Sequence, residues 1–461
     1  MASIIKTDNI QKVSDDSNII KKCGSTITIG SSGASVALAC GATQTGFGRT
    51  GTVDWCTTAK TSPFTAANGV GYFVNTTSGA VTVTLPASPS AGDIVAIKDY
   101  AATFSSNHLT VGRNGSKLGG ECQDGVLTTA GDSIKLIYVD GTQGWLNVQT
   151  DDTIQGEQFV VATGGTITTS GNFKIHTFTA NGCFQVTNAG NEAGNNKIEY
   201  MVVAGGGGGG SRTSGGGGGA GGYRESSGAT AGCYAASPLA SGVSALTASV
   251  ATFPITVGAG GAGGVVPGAG TSGSPSVFST ITSTGGGGGA NDSNDALTGG
   301  SGGGGGFRPP GTPSNGAAGN TPPVSPPQGN DGGNTNPSTS NPDRGGGGGG
   351  AGGAGTTPSG NPAGPGGDGT TSSINGTPTT RAGGGGGGKD EDSPNSGSSG
   401  EGGPGGGGRG ASSDPGSARA GAAGTANTGG GGGGGGATGP NPYPNGYAGG
   451  SGIVILRYKF Q

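Results

Sequence analysis

Aromatic side chains make up 5% of this 461-residue chain, hydrophobic ones of all kinds 29%, and charged ones 10%. So little apolar material cannot fill large globular cores along the whole length. Nowhere do eighteen apolar residues follow one another, so no transmembrane helix is expected. The opening Met1-Ala2-Ser3-Ile4-Ile5-Lys6-Thr7-Asp8 lacks the apolar stretch and small-residue cleavage site of a secretory signal. No Lys/Arg run exceeds Lys21-Lys22 and the net charge is −4, which disfavours nucleic-acid binding. Six cysteines (Cys23, Cys40, Cys56, Cys122, Cys183, Cys233) include no C-x-x-C pair. That spacing fits neither a zinc knuckle nor a small disulfide scaffold, so reduced, mostly buried thiols are expected. His108 and His176 sit in apparent strands without ligating neighbours, so no metal and no cofactor are expected.

Glycine is what the chain has instead. Of 114 glycines only 26 precede Gly205. The other 88 lie from Gly205 onward, and about half of them form unbroken blocks at 205–210, 215–219, 285–289, 302–306, 345–350, 383–388, 405–408 and 429–436. The density approaches that of collagen without its Gly-X-Y period. A flexible linker would mix glycine with serine, whereas these blocks are almost pure and recur at similar length. Packed rods in the polyproline-II conformation account for the purity. Such a rod has three residues per turn and no internal hydrogen bonds, so its N–H and C=O groups must be met by neighbouring rods, and that needs backbones with no Cβ between them. The apolar segments Ile198-Glu199-Tyr200-Met201-Val202-Val203 and Ile453-Val454-Ile455-Leu456-Arg457-Tyr458 bracket the blocks. They read as antiparallel neighbours in one sheet that bring the two ends of the glycine region together.

The rest of the pattern is all-β. Residues 1–50 alternate at Thr26-Ile27-Thr28-Ile29 and Ser35-Val36-Ala37-Leu38, a segment too thin to fold alone. Residues 51–150 carry candidate strands at 70–74, 80–85, 93–97, 108–112, 133–139 and 145–148, which predicts a β-sandwich or prism. Residues 151–204 continue with strands at 158–162, 173–178, 183–187 and 198–203. Residues 205–461 form the glycine-rich domain, closed by β-strands. Variable polar segments separate its blocks, among them 291–295, 308–342, 389–392 and 440–447, and these read as loops at the rod ends.

Catalytic constellations are weak. Residues 383–389 satisfy G-x-x-x-x-G-K, but Asp390 follows where a phosphate-binding loop needs Ser or Thr, and neither the preceding strand nor the following helix is present. The match is a by-product of glycine content, and no enzyme is expected.

The opening Ala2-Ser3-Ile4-Ile5-Lys6-Thr7-Asp8-Asn9-Ile10-Gln11 and Gly46-Phe47-Gly48-Arg49 resemble the N-terminal segment of tail-fibre proteins of tailed bacteriophages. Gly71-Tyr72-Phe73-Val74-Asn75, Val83-Thr84-Leu85-Pro86, Lys98-Asp99-Tyr100 and Gly144-Trp145-Leu146 look like a β-domain that recurs in such fibres. Tyr200-Met201-Val202-Val203-Ala204-Gly205, Gly221-Gly222-Tyr223-Arg224 and Gly452-Ile453-Val454-Ile455 resemble the glycine-rich domain of phage and bacterial surface proteins. The alternation of glycine blocks and variable segments is similar to the distal adhesins of T-even-like phages, although this chain adds its own β-domains and longer loops.

The resemblance implies a virion protein, assembled in the host cytoplasm as a homotrimer. It would attach through its N-terminus to a phage tail or baseplate protein and bind a host surface glycan or outer-membrane protein without inserting into the membrane. Receptor-contact candidates are Tyr223, Arg224, Phe307, Arg308, Arg344, Arg381, Tyr443 and Tyr447, because Tyr and Arg dominate binding hot spots. Tyr223 and Arg224 read better as rod caps, and the segments 308–343 and 437–448 as contact surface. The alternatives are a glycine-rich structural surface or matrix protein and a tailspike depolymerase.

Overall fold

The structure, a computed structural model, describes strands within residues 9–29, then residues 53–149, 155–212, 214–229, 234–307, 314–335, 344–360, 362–389, 397–412, 419–436 and 444–461. It is all-β, and its one helical turn among the described residues is 3-10, at Pro238–Ala240. Near the N-terminus, β1 (Asn9–Gln11), β2 (Asn18–Cys23) and β3 (Thr26–Ile29) form an antiparallel meander. The strand expected at 35–38 falls outside the described residues.

The first β-domain winds before it meanders. Its strands are β4 (Asp54–Lys60), β5 (Phe64–Thr65), β6 (Val70–Val74), β7 (Val81–Thr84), β8 (Ile94–Asp99), β9 (Leu109–Gly112), β10 (Gly125–Leu127), β11 (Ser133–Asp140), β12 (Gly144–Asn147) and β13 (Gln155–Gly156). Successive strands from β4 to β9 alternate between two sheets, and same-sheet neighbours β4, β6, β8 and β5, β7, β9 run parallel. The chain therefore coils like a short two-sheet solenoid, then closes with antiparallel β10 to β13. Val81 and Val83 of β7 point inward and Thr82 and Thr84 are half-buried, which is the period-two pattern of a strand with one core face. Leu85, Ile97, Phe104, Leu109, Leu127 and Trp145 fill the space between the sheets.

A second sandwich begins with β14 (Val160–Thr163), β15 (Thr166–Ser170), β16 (Phe173–Phe178), β17 (Gly182–Ala189) and β18 (Lys197–Val203). It takes its remaining strands from the glycine-rich region: β19 (Tyr223–Glu225), β20 (Leu246–Thr247), β21 (Ala251–Thr256), β22 (Ser276–Phe278), β23 (Ile281–Ser283) and the last strand. Between them lies the hairpin of β24 (Thr370–Ser372) and β25 (Thr379–Arg381), and β26 (Ile453–Lys459) ends the chain. The two sheets are ordered β14-β17-β21-β22-β23 and β15-β16-β26-β18-β19. A boundary at 204/205 thus cuts through one folded unit, because both sheets draw strands from either side of it.

As expected, β18 and β26 pair antiparallel, Val203 opposite Ile453 and Glu199 opposite Arg457. Their apolar runs exist because both faces are covered. Tyr200, Val202, Val454, Leu456 and Tyr458 pack into the sandwich, while Met201, Val203, Ile453 and Ile455 pack into a second core with Tyr223, Ile374 and Ala382.

Strands pass directly into glycine rods. β18, β21, β23 and β25 lead out into residues 205–211, 258–264, 285–290 and 383–388, and residues 215–222, 268–274, 363–369 and 444–452 lead back into β19, β22, β24 and β26. The rod 205–212 donates in threes. The N–H groups of 205, 208 and 211 reach Ser274, Thr271 and Gly268; those of 206, 209 and 212 reach Gly450, Tyr447 and Pro444; those of 207 and 210 reach Gly219 and Gly216. Its carbonyls accept from residues 286 and 289, 261 and 264, and 432 and 435. Each third residue faces the same neighbour, as a threefold helix requires, and six rods surround this one. The rods 215–220, 345–350, 383–388 and 429–435 are likewise enclosed by six neighbours each.

Those interior rods are the pure glycine blocks, and the reason is contact rather than dihedral freedom. None of the glycines in 205–210, 215–219, 345–350 or 383–388 has positive φ. A Cβ on Gly207 would stand 2.1 Å from the Gly287 carbonyl oxygen, and one on Gly217 would stand 2.0 Å from that of Gly385. Outer rods need glycine only where they face inward. Along 258–265 the exposed positions are Ala259, Ala262 and Val265, and along 362–368 they are Pro362, Pro365 and Asp368. The proline-rich stretch 308–342, expected as one loop, contains two such outer rods near 314–320 and 328–335, where the Gly332 and Thr335 N–H groups bond to Ala317 and Ser314. The block at 405–408 also differs from its neighbours: Gly405 and Gly406, both at φ +100°, make the tight turn between a returning and an outgoing rod.

Candidate functional site

Parallel and antiparallel registers fix which rod ends lie together. Rods 205–210, 383–388, 405–411 and 429–435 run parallel, and 215–220 and 345–350 run against them. Hence Arg212, Lys389, Ser412 and Gly436 share one face with Ser214, Arg344 and Arg419, remote from the sandwich. Short bridges tie this rim together, Ser214 to Gly436, Arg344 to Lys389 and Ser412 to Arg419. Segments 308–313, 336–343, 390–396, 413–418 and 437–443 join rod ends here and lie outside the described residues.

The described part of the rim is polar and carries charges of both signs. Arg212 forms an ion pair with Asp292 in the neighbouring loop, and Arg419 pairs with Glu401 on the flank. Asn291 shapes its loop through its side-chain oxygen, which accepts the N–H groups of Ser293 at 3.1 Å and Asn294 at 2.7 Å, an Asx turn. Lys389 and Arg344 are buried side by side. The G-x-x-x-x-G-K match ends here and is no phosphate cradle: each N–H from Gly383 to Gly388 is already bonded to a neighbouring rod.

Six of the eight candidate residues are described, and the structure does not bring them together. Arg344 lies in the remote rim and Phe307 beside it, half-buried, its N–H bonded to the Ser214 carbonyl at 3.2 Å. Tyr447 is half-buried on an outer rod, its hydroxyl accepting the Gly421 N–H at 3.1 Å. Arg308 and Tyr443 fall outside the described residues. Tyr223, Arg224 and Arg381 sit at the opposite end, beside the sandwich. Tyr223 is fully buried and donates to Glu225 at 2.8 Å, and burial followed by the Glu225 charge raises its hydroxyl well above the ordinary range. Arg381 is buried next to Met201, and burial lowers its guanidinium against the pull of Tyr223 and Glu225. Tyr223 and Arg381 are therefore interior groups that join rods to sheet, with no surface to offer a receptor. Sequence reasoning missed Arg212, Asp292 and Lys389. Their signal was position, a charged residue directly after a glycine block or in the loop beside one.

Two further expectations change. Cys122 and Cys183 are exposed, although free as expected. His108 lies just before β9, while His176 is buried in β16 between the Gly164 carbonyl and the Tyr458 hydroxyl.

A family described as a glycine-rich domain matches residues 179–459, more than half of the chain, and the chain belongs to that family. The match starts before the first glycine block and runs through β26, so it includes strands of the sandwich as well as the rods. No curated protein matches the chain.

Proposed function

We propose that this glycine-rich-domain protein is a phage tail fibre or receptor-binding protein that mediates adsorption to the host surface. It works by binding rather than by chemistry. One observation carries the reading: the interior rods end on a single remote face, and polar segments that share no common sequence leave and rejoin the rods there. A lattice held by backbone hydrogen bonds gives such segments a fixed base whatever their sequence, which suits a surface that must change partner while keeping its fold. The receptor would be a surface glycan or outer-membrane protein of the host. The N-terminal strands would serve attachment to the tail or baseplate, with three copies of the chain in the fibre. Assembly would take place in the host cytoplasm.

The test is an exchange of segments 308–313, 336–343 and 437–443 for those of a homologous fibre with another host range, leaving the rods between them in place. Adsorption should follow the donor's host while particle assembly is unchanged. Adsorption that stays with the original host would sink this assignment of the contact surface.

A further inference from the structure

Where β12 at the edge of one sheet faces β10 and β13 at the edge of the other, the first β-domain opens into a cavity of about 540 Å³. Its walls are built rather than incidental. Residues 117–121 are tied across Trp145: the Trp145 N–H bonds to the Lys117 carbonyl at 2.9 Å, the Gly119 N–H to the Trp145 carbonyl at 2.8 Å, and the Gly120 N–H to the Gln143 carbonyl at 2.8 Å. Gly144, at φ +71°, permits this approach, since a Cβ there would stand 1.9 Å from the Lys117 oxygen. The lining combines Leu118, Leu146 and Trp145 with the polar side chains of Glu121, Asp124 and Asn147. Gln123 and Gln158 complete it. Trp145 is fully buried, and its indole N–H has no hydrogen-bond partner.

We propose that this cavity is a binding site for a neutral saccharide. A sugar presents hydroxyls in several directions and an apolar ring face. Carboxylates and amides accept and donate to the former, and Leu118 and Leu146 offer apolar surface to the latter. Among the described residues no Lys or Arg lines the cavity, so an anionic sugar would find no counter-charge there. The site lies in the first β-domain, apart from the rod ends, and goes beyond the adsorption role proposed for them.

The chain has two tryptophans, and Trp55 lies elsewhere, exposed, with its ring tilted against Phe73 at 5.0 Å. A Trp55→Phe variant of the full chain therefore leaves Trp145 as the sole indole reporter. Titration with glucose, galactose and N-acetylglucosamine, each as monosaccharide and short oligosaccharide, should give a saturable change in emission with at least one of them. Saturation-transfer NMR on the unmodified chain reads the same contact should the variant fold poorly. Glu121→Ala with Gln123→Ala, both exposed, should weaken that binding by about tenfold or more without moving the melting curve. No saturable response to any of these sugars overturns the proposal. So does a response unchanged in the double variant, or equal binding of sialic acid. Soluble sugars on the purified chain decide this site, whereas the segment exchange decides the adsorption reading, so either can fail alone.

Discussion

The imidazole Nε2 of His176 stands 3.0 Å from the hydroxyl of Tyr458, a residue 282 positions further along the chain. The rings stack at 5.5 Å, and the Nδ1 side meets the Gly164 carbonyl at 2.7 Å. This contact fastens the last strand to one laid down before the glycine region begins, and it closes the unit around its lattice. It also sets a charge state. Burial holds the His176 imidazole below its ordinary pKa of 6.5, against the Gly164 hydrogen bond.

The first prediction follows from that shift. Below pH 6.5 the unfolded chain takes up a proton on His176 that the folded chain refuses, so stability should fall as pH drops from about 6.5 towards the lowered folded pKa. Melting temperatures measured from pH 8 to about pH 5 should decline in the natural chain and decline less in His176→Gln. Equal slopes would remove His176 from the account.

Gly347→Val tests the lattice. The new Cβ would stand 1.8 Å from the Pro365 carbonyl oxygen, with backbone on the far side that cannot swing away. A loss of about 2 kcal/mol or more is expected. Gly353→Ala is the matched control, because its Cβ would come no nearer than 3.5 Å to any atom. If the two variants melt alike, close backbone approach is not what demands glycine.

Hydrogen exchange should grade the rods. Amides of 205–210, 215–220, 345–350 and 383–388, enclosed on all sides, are expected to exchange far more slowly than the outward-facing amides of 259–263 and 419–425. Uniformly fast exchange across the glycine blocks would contradict the packing described.

Glu225 anchors the join between rods and sheet. Its carboxylate accepts from the Tyr223 hydroxyl at 2.8 Å, the Ser237 N–H at 3.0 Å and the Ser372 hydroxyl. Glu225→Leu strands those donors and removes a charge that favours the buried Arg381. A cost of about 3–5 kcal/mol is expected, read by thermal or urea unfolding.

The oligomeric state is a separate prediction. Light scattering should give three times the 43.1 kDa protomer mass, since the short N-terminal meander needs partners to cover its edges. A monomer mass would end the trimer reading.

Legibility in the sequence followed the chemistry of each residue's surroundings. The runs 198–203 and 453–458 stood out because both of their faces are buried, and the interior rods stood out because nothing but glycine fits there. Outer rods did not, since every third position points to solvent and accepts Ala, Val, Pro or Asp, so 362–368 reads like a loop. β21 was hidden by Pro254, which the sheet tolerates because β22 pairs only with the later Ile255 and Thr256. Which end of the lattice a given Arg or Tyr occupies depends on the direction of every preceding rod. That long-range fact placed Arg344 in the rim and Arg381 in the core, although each adjoins a glycine block.

An interior made of peptide groups has a thermal signature unlike that of an ordinary core. Heat capacity on unfolding rises with exposed apolar surface and falls with exposed polar surface. The enclosed rods hide almost nothing but backbone, so they should add little to it per residue, and the two sandwiches should supply most of the total. The stability of the glycine-rich unit should then vary less steeply on cooling than that of an oil-filled domain of equal length. A backbone lattice of this kind keeps its grip in the cold, where the hydrophobic effect weakens.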